Sequence, residues 1–358
     1  MSRPLVVKFG GDALATPERI AAAAHRIAER RRTHAVVAVA SARRGITDHL
    51  LGLVAQVREA IPASAAPAAS ARAASDRAVA SGELVSASLL AVALGELGIG
   101  AVVLDAREAG LHSTGHADGA SLVALRPARL ERLLSRGLTP VVTGFQGWHR
   151  GRLTTLGRGG SDITAVALAG ALGAAGCELV KDPGALHTAD PRLVPEARLI
   201  ERAGHRFVTE LAFAGARVIH HLAASRAERE AVPLRFTPLH AGGEPATEVG
   251  GHLEHVPALA VVLGAGHRGM VPAAGEAPDV ATVSVVSGAA DDTAQRAAAE
   301  AAAARAGMVV LRTAHRPHVA SFLVAAADGD GLLRTLHAAL GGASAAAEPT
   351  PRIYACHG

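Results

Sequence analysis

The sequence predicts an α/β fold, a mostly parallel sheet between helix layers, followed by a smaller tail of βαββαβ order. Three observations carry this expectation. β-branched runs alternate with helical stretches to about residue 240, the pattern of strands joined by crossover helices. Two of the transitions are glycine turns, at Gly10 and Gly11 and at Gly157 to Gly160, and the second opens into an apolar helical run of Ile163, Val166, Leu168 and Leu172. Around Ala241 to Pro245 the texture shifts to turn residues, and a separate succession of strands and helices begins.

In order, Pro4 to Gly11 reads as a buried strand and a turn. Lys8 lies near the end of that strand, where active sites of open α/β sheets sit. The amides of Gly10 and Gly11 can approach a phosphate closely because no Cβ intervenes. A helix follows, with Thr16 as N-cap, Pro17 in the first turn and Glu18 beside it. His34 to Ala40 is a second strand, Ser41 to Thr47 a polar loop, and Asp48 begins another helix. The Ala/Pro/Ser-rich residues 61–76 read as a surface connection or a frayed helix. Ser81-Gly82-Glu83 then opens a helix running to Glu96. A carboxylate is favourable near a helix N-terminus, so a capping role stands open for Glu83. Ala101 to Asp105 is a strand, 127–136 a helix and Thr139 to Thr143 a strand. A glycine-rich hairpin leads to the central turn. After its helix come the strand Glu178 to Asp182, a loop from Pro183 to Arg192, and a helix begun or preceded by Arg217 to His220. The tail reads strand 280–286, helix 291–306, strands 308–313 and 319–325, helix 331–340 and strand 352–356, a ferredoxin-like order.

Composition narrows the function. A chain of 358 residues accommodates two domains, and 49% hydrophobic against 19% charged residues implies a sizeable core. Aromatics at 2% leave few stacking platforms, so no nucleic-acid partner is expected. The net charge of +4 is carried by scattered arginines and suits an anionic small molecule. Cys177 and Cys356 form no disulfide framework, the first residues show no signal-peptide pattern, and no uninterrupted apolar run reaches the roughly 20 residues of a membrane span. A cytoplasmic protein without a membrane partner is expected. Of the 36 Lys plus Arg residues only Lys8 and Lys181 are lysines. A lysine retained in such a chain suggests a place for a compact point charge.

The stretch Thr155 to Asp162 organises these pieces. Its glycine turn points unpaired backbone N–H groups at an anion, and the helix dipole adds to the attraction. Arg158 can grip a carboxylate or phosphate through two parallel hydrogen bonds. Asp162, in the first helical turn, can hold a metal or a lysine.

Motifs in this order resemble those of aspartate kinases of the amino acid kinase family, over the first two-thirds of the chain. Lys8-Phe9-Gly10-Gly11 is similar to the family's KFGG, and Ser41 through Thr47 to its serine-to-threonine substrate loop. Ser81-Gly82-Glu83 resembles SGE, and Gly144-Phe145-Gln146-Gly147 resembles GFxG. Leu156 to Asp162 matches LGRGGSD, the most diagnostic string. His187 to Arg192 resembles YTADPR, and Gly215 to His220 resembles GAKVLHP. The tail resembles the family's amino-acid-sensing ACT domains. The resemblance implies a catalytic domain over 1–249 and an ACT region over 250–358, with one complete unit at about 280–356. The strand at Ala258 to Gly264 is read as a remnant of a second, reduced unit.

The resemblance also implies a reaction: ATP, with Mg²⁺, phosphorylates the side-chain carboxylate of L-aspartate. Lys8 would touch the transferring phosphoryl oxygens, and Asp162 would hold Lys8 or the metal. Arg158 would meet the acceptor's α-carboxylate and Glu83 its ammonium, with Ser41, Thr47 and Ser161 completing that pocket; caps remain open for Ser41, Thr47 and Ser161. Gly10, Gly11, Gly159, Gly160, Lys181, Asp182, His187, Arg192 and Arg217 would face the nucleotide. ACT units commonly pair across chains, so a homodimer is implied.

Departures from the family cluster on the nucleotide side. Asp12 and Ala13 stand where Thr-Ser is usual, and Asp12 would repel phosphates or bind magnesium. The family's Thr-Asp-Val-Asp-Gly is Lys181 to Ala185, its tyrosine is His187, and its phosphate-binding lysine is Arg217. Lys181 either supplies the compact cation that Arg217 no longer is, or pairs on the surface with Asp190 or Glu178. Two other readings stay open: a kinase for a different amino-acid carboxylate, and a non-catalytic paralogue that binds aspartate or nucleotide.

Overall fold

Apolar residues dominate the first two strands, β1 (Leu5–Phe9) with Leu, Val and Phe around Lys8 and β2 (Val36–Ala40) with valine and alanine alone, and every residue of β2 is buried. Such near-continuous apolar runs suit strands covered on both faces. They form the middle of an eight-stranded sheet in a computed structural model of the chain, which describes residues 3–61, 69–115, 120–181, 184–239, 246–254, 256, 258–265, 279–288 and 293–341. The strand order is Arg202–Ala203, Thr247–Val249, Leu234–Thr237, Gly176–Val180, β1, β2, Thr139–Thr143 and Ala101–Leu104. All neighbours pair in parallel except Leu234–Thr237 with Thr247–Val249. The expected parallel-rich α/β fold is therefore present.

The chain divides into two units, the first comprising Met1–Leu186, Leu199–Phe213 and Arg217–Val256. Its helices are α1 (Pro17–Arg30), α2 (Ile46–Glu59), α3 (Ala69–Glu96), α4 (Ala128–Ser135), α5 (Gly160–Ala171), α6 (His205–Phe213) and α7 (His221–Arg229). Thr16 caps α1 by accepting the Arg19 N–H, and Pro17 occupies its first turn, as expected. Val7 and Phe9 join Ile20, Ala23 and Ile27 of α1 and Ala87, Leu90 and Leu94 of α3 in one core. Side chains alternate along a strand, so Lys8 emerges on the other face of β1. There α5, buried along nearly its whole length, covers the sheet. A second, four-stranded sheet contains the predicted hairpin Gln146–His149 and Arg152–Thr155, together with Leu111–Ser113 and Leu122–Leu125.

Helix α3 corrects the reading of residues 61–96. It starts by Ala69, so 69–76 is helical and Glu83 lies in its interior; the capping role for Glu83 falls. Alanine, which has the highest helix propensity, dominates 69–80, and this overrides the loop-like Ser content. By length and composition Ser70–Glu96 passes as a helix able to cross a membrane, although Ala87, Leu90 and Leu94 are buried in the sheet core.

The second unit comprises His187–Arg198, Ala214–Ala216 and Pro257–Gly358. Its sheet runs Leu259–Ala265, Val280–Ser287, Val319–Ala325 and Arg312–Arg316, all antiparallel, with helices α8 (Thr293–Arg305) and α9 (Gly329–Gly341). The expected strand at 352–356 lies outside the described residues. The strand expected at Ala258 to Gly264 is present as Leu259–Ala265 and pairs along seven residues with Val280–Ser287. Residues His187–Arg198 and Ala214–Ala216, ahead of residue 250, also belong to this unit. The Val261 N–H donates to the Thr188 carbonyl at 2.8 Å, and Ala189 and Val194 pack into the second core with Val283, Phe322 and Leu336.

Candidate active site

A cleft of about 540 Å³ in the first unit is lined by Lys8, Ser41, Thr47, Glu83, Arg158, Gly159, Gly160, Ser161 and Asp162. Four separate stretches, at Lys8, the Ser41–Thr47 loop, Glu83 and Arg158–Asp162, are thus brought together by the sheet and α3. At the cleft floor Lys8 Nζ stands 2.7 Å from Asp162 Oδ1, and both residues are 5% exposed. Lys181, the residue after the strand Gly176–Val180, places Nζ 3.1 Å from Asp162 Oδ2 and donates to the Val218 carbonyl at 2.6 Å. The His220 backbone N–H also donates to Asp162 Oδ2, at 3.3 Å. Burial alone would raise the Asp162 carboxyl; the ammoniums of Lys181 and Lys8 overcome it and hold Asp162 well below the usual carboxylate range.

The turn before α5 requires glycine at 159. Its φ is +72°, and a Cβ there would fall 2.2 Å from the His220 Cβ. That fit sets the α5 N-terminus against the loop that supplies Val218 and His220. Arg158 is exposed on the cleft, while Ser161 is buried in the first turn of α5.

On the other wall, Glu83 is 3% exposed. Its Oε1 accepts the Ala42 N–H at 3.2 Å, and Oε2 is buried with no hydrogen-bond partner among the described residues. Burial pushes its pKa up to about 7. A cation reaching Oε2 would restore the ionised form.

Other expected residues have partners of their own. The Gly10 N–H is spent on the Val180 carbonyl and the Gly160 N–H on Gly157, so neither is free for a phosphate. Gly11 lies at the same turn as Gly10, its carbonyl accepting from Leu14 and Arg44. Arg217 is exposed. His187 and Arg192 belong to the second unit, where Arg192 forms a two-pronged pair with Asp190. Asp182 lies outside the described residues. The surface pairing considered for Lys181 is overturned: Glu178 is engaged by Arg26 and Arg30, each at 2.7 Å, and Asp190 by Arg192.

The two carboxylates named for a metal make ion pairs. Both oxygens of Asp162 are taken by ammoniums, and Asp12 pairs with Arg44. Among the described residues no group of three His, Cys, Asp or Glu can hold a metal ion.

Three contributors were not foreseen. Asp76 of α3 lines the cleft and accepts the Thr155 hydroxyl at 2.7 Å. Phe145, at φ 68°, lines it too. Val218 acts through its carbonyl, for which a side chain gives no signal.

A mostly parallel sheet, a glycine turn opening a buried helix and a lysine–aspartate pair at the strand ends place a cleft suited to anions at the carboxyl ends of the strands. Residues 3–237 match the amino acid kinase family, and the chain belongs to it. Its curated relatives include the aspartokinase of Corynebacterium efficiens, 35% identical over 262 residues that cover 72% of this chain and 60% of the relative. The aspartokinase of Thermus thermophilus is 38% identical over 232 residues, 64% of this chain and 55% of the relative. The chain thus spans about 60% of the length of the curated relatives it matches. Among solved structures, E. coli aspartokinase III in complex with aspartate and ADP superposes with a TM-score of 0.77 at 21% identity, over 94% of this chain and 100% of that one. This second likeness is one of fold.

Proposed function

We propose that this protein transfers the γ-phosphoryl group of ATP to the side-chain carboxylate of L-aspartate, giving 4-phospho-L-aspartate. The observation that carries the reading is the unpartnered buried Oε2 of Glu83, in the same cleft as the Lys8–Asp162 pair and Arg158. An amino acid's ammonium matches Glu83, its α-carboxylate matches Arg158, and a side-chain carboxylate can then face Lys8. The identity to aspartokinases supports aspartate as that amino acid.

A carboxylate oxygen is already nucleophilic, so the reaction needs no general base. An oxygen–phosphorus bond forms to the acceptor as the bond from the γ-phosphorus to the bridging oxygen breaks, and ADP leaves with the electron pair. The protein's task is to hold two anions together and to neutralise the charge on the moving group. Lys8 stabilises that charge, Asp162 aims Lys8, and Ser41, Thr47 and Ser161 orient the acceptor. Lys181, the second ammonium on Asp162, would face the nucleotide. Magnesium, where it is used, would arrive with the nucleotide as the counter-ion of its phosphates. Cytoplasmic residence and a homodimer through the second unit belong to the same reading.

The test is an ATP-dependent hydroxamate assay with a panel of amino acids. Aspartate is expected to be the best acceptor, and succinate, which lacks the ammonium, much poorer. Comparable kcat/KM for aspartate and succinate would remove the Glu83 assignment. A strong preference for another amino acid would move the reading to a different carboxylate acceptor.

A further inference from the structure

The only two lysines of the chain end on one carboxylate. They come from neighbouring strands: β1 carries Lys8, and Lys181 directly follows Gly176–Val180, whose Val180 is in register with Phe9. Both flank the same glycine turn, since a Cβ on Gly10 would lie 3.8 Å from Lys8 Nζ and 3.8 Å from Lys181 Cγ. Lys181 is also anchored to the Val218 carbonyl. An ammonium has three N–H donors, so one remains after Asp162 and Val218 are served.

Charge makes this arrangement consequential. Asp162 aims Lys8, but a buried lysine–carboxylate pair sums to zero and offers little attraction to phosphates. Two ammoniums on one carboxylate sum to a single positive charge, in surroundings where burial strengthens its field. We propose that Lys181 lets Asp162 aim Lys8 without cancelling it, keeping one net positive charge at the cleft floor for the nucleotide's phosphates. Lys181 is thus a positioning and charge-balancing residue. The exposed Arg217 does not serve in this place. The inference rests on the phosphoryl-transfer reading above and is independent of which acceptor is used.

The test is calorimetric titration of ADP into the full chain without acceptor, for wild type, K181Q, K181R and D162N/K181Q. Gln removes the charge and keeps two N–H donors on a side chain one methylene shorter. K181Q is expected to bind ADP about tenfold more weakly, and K181R to stay within about threefold of wild type because its charge is kept. D162N/K181Q carries the same net charge as wild type and should regain most of the affinity, while its kcat stays low because Lys8 is no longer aimed. The readout also separates a purely structural strap, for which the double variant would bind no better than K181Q. Wild-type ADP affinity in K181Q, or no recovery in D162N/K181Q, overturns the proposal. Should K181Q fail to fold, the double variant decides alone: ADP binding more than about tenfold weaker than wild type rejects the charge-balance argument. A wild type that binds ADP but phosphorylates no aspartate would refute the acceptor assignment only.

Discussion

Lys8 sits 2.7 Å from Asp162, near the end of a central strand and 5% exposed. Lys8→Ala is expected to lower kcat by at least ~10²-fold, the scale on which preorganised electrostatic groups act, with circular dichroism unchanged. Wild-type turnover by that variant would displace the site. Glu83 gives a pH signature. Its pKa is raised by burial to about 7, so the free enzyme holds it protonated below that pH. The acceptor's ammonium favours the ionised form, so aspartate affinity should rise as pH increases through about 7 and level off above it. Glu83→Gln should flatten that rise and weaken aspartate binding. Stability runs the other way: between the usual carboxylate value and about 7 the folded state binds the extra proton, so unliganded stability falls across this window as pH rises. Urea titrations at pH 5 and pH 8 should show this fall for wild type and not for Glu83→Gln. Lys8 was legible because lysine is so scarce in this chain. The place of Lys181 was not, because two partners named for it, Glu178 and Asp190, are held by arginines.

Helix α3 places Glu83 by packing its Gly82 closely against the 41–47 loop. A Cβ on Gly82 would lie 2.9 Å from the Ala42 Cβ and 3.0 Å from Ile46 Cγ2. Gly82→Val should force the loop away, break the Ala42–Glu83 hydrogen bond and raise KM for aspartate several-fold, with a smaller effect on ADP affinity. An unchanged KM would mean that the loop yields without moving Ser41 and Thr47. Helix α5 is positioned by Gly159 against His220. Gly159→Ala combines a left-handed φ with that clash, and a loss of roughly 1–3 kcal/mol in denaturant stability is expected, together with lost transfer. The glycine turn could be read from its residues. The interior position of Glu83 could not, since the alanine-rich 69–80 segment extends its helix backwards past the apparent cap.

The two units have separate cores, the second built on four antiparallel strands with α8 and α9. The proposed pairing of second units predicts a dimer in sedimentation velocity at micromolar concentration. A monomer across that range would count against it. ADP and aspartate together should raise the melting temperature of the full chain, because each binds the folded state alone.

The alternation of strands and helices, the glycine turns and the candidates Lys8, Arg158 and Asp162 could be read in the sequence, because periodicity, turn chemistry and composition are local; Glu83 came from the family resemblance, and the strands Arg202–Ala203, Leu234–Thr237 and Thr247–Val249 and helix α6 were not read. What only the tertiary structure decided is nonlocal. Lys181 reaches both Asp162 and the Val218 carbonyl, Leu259–Ala265 joins the sheet of the second unit, and 187–198 joins that unit's core. Pairing across distant stretches depends on which buried charges and open strand edges find partners. Packing settles that, and no window of residues contains it.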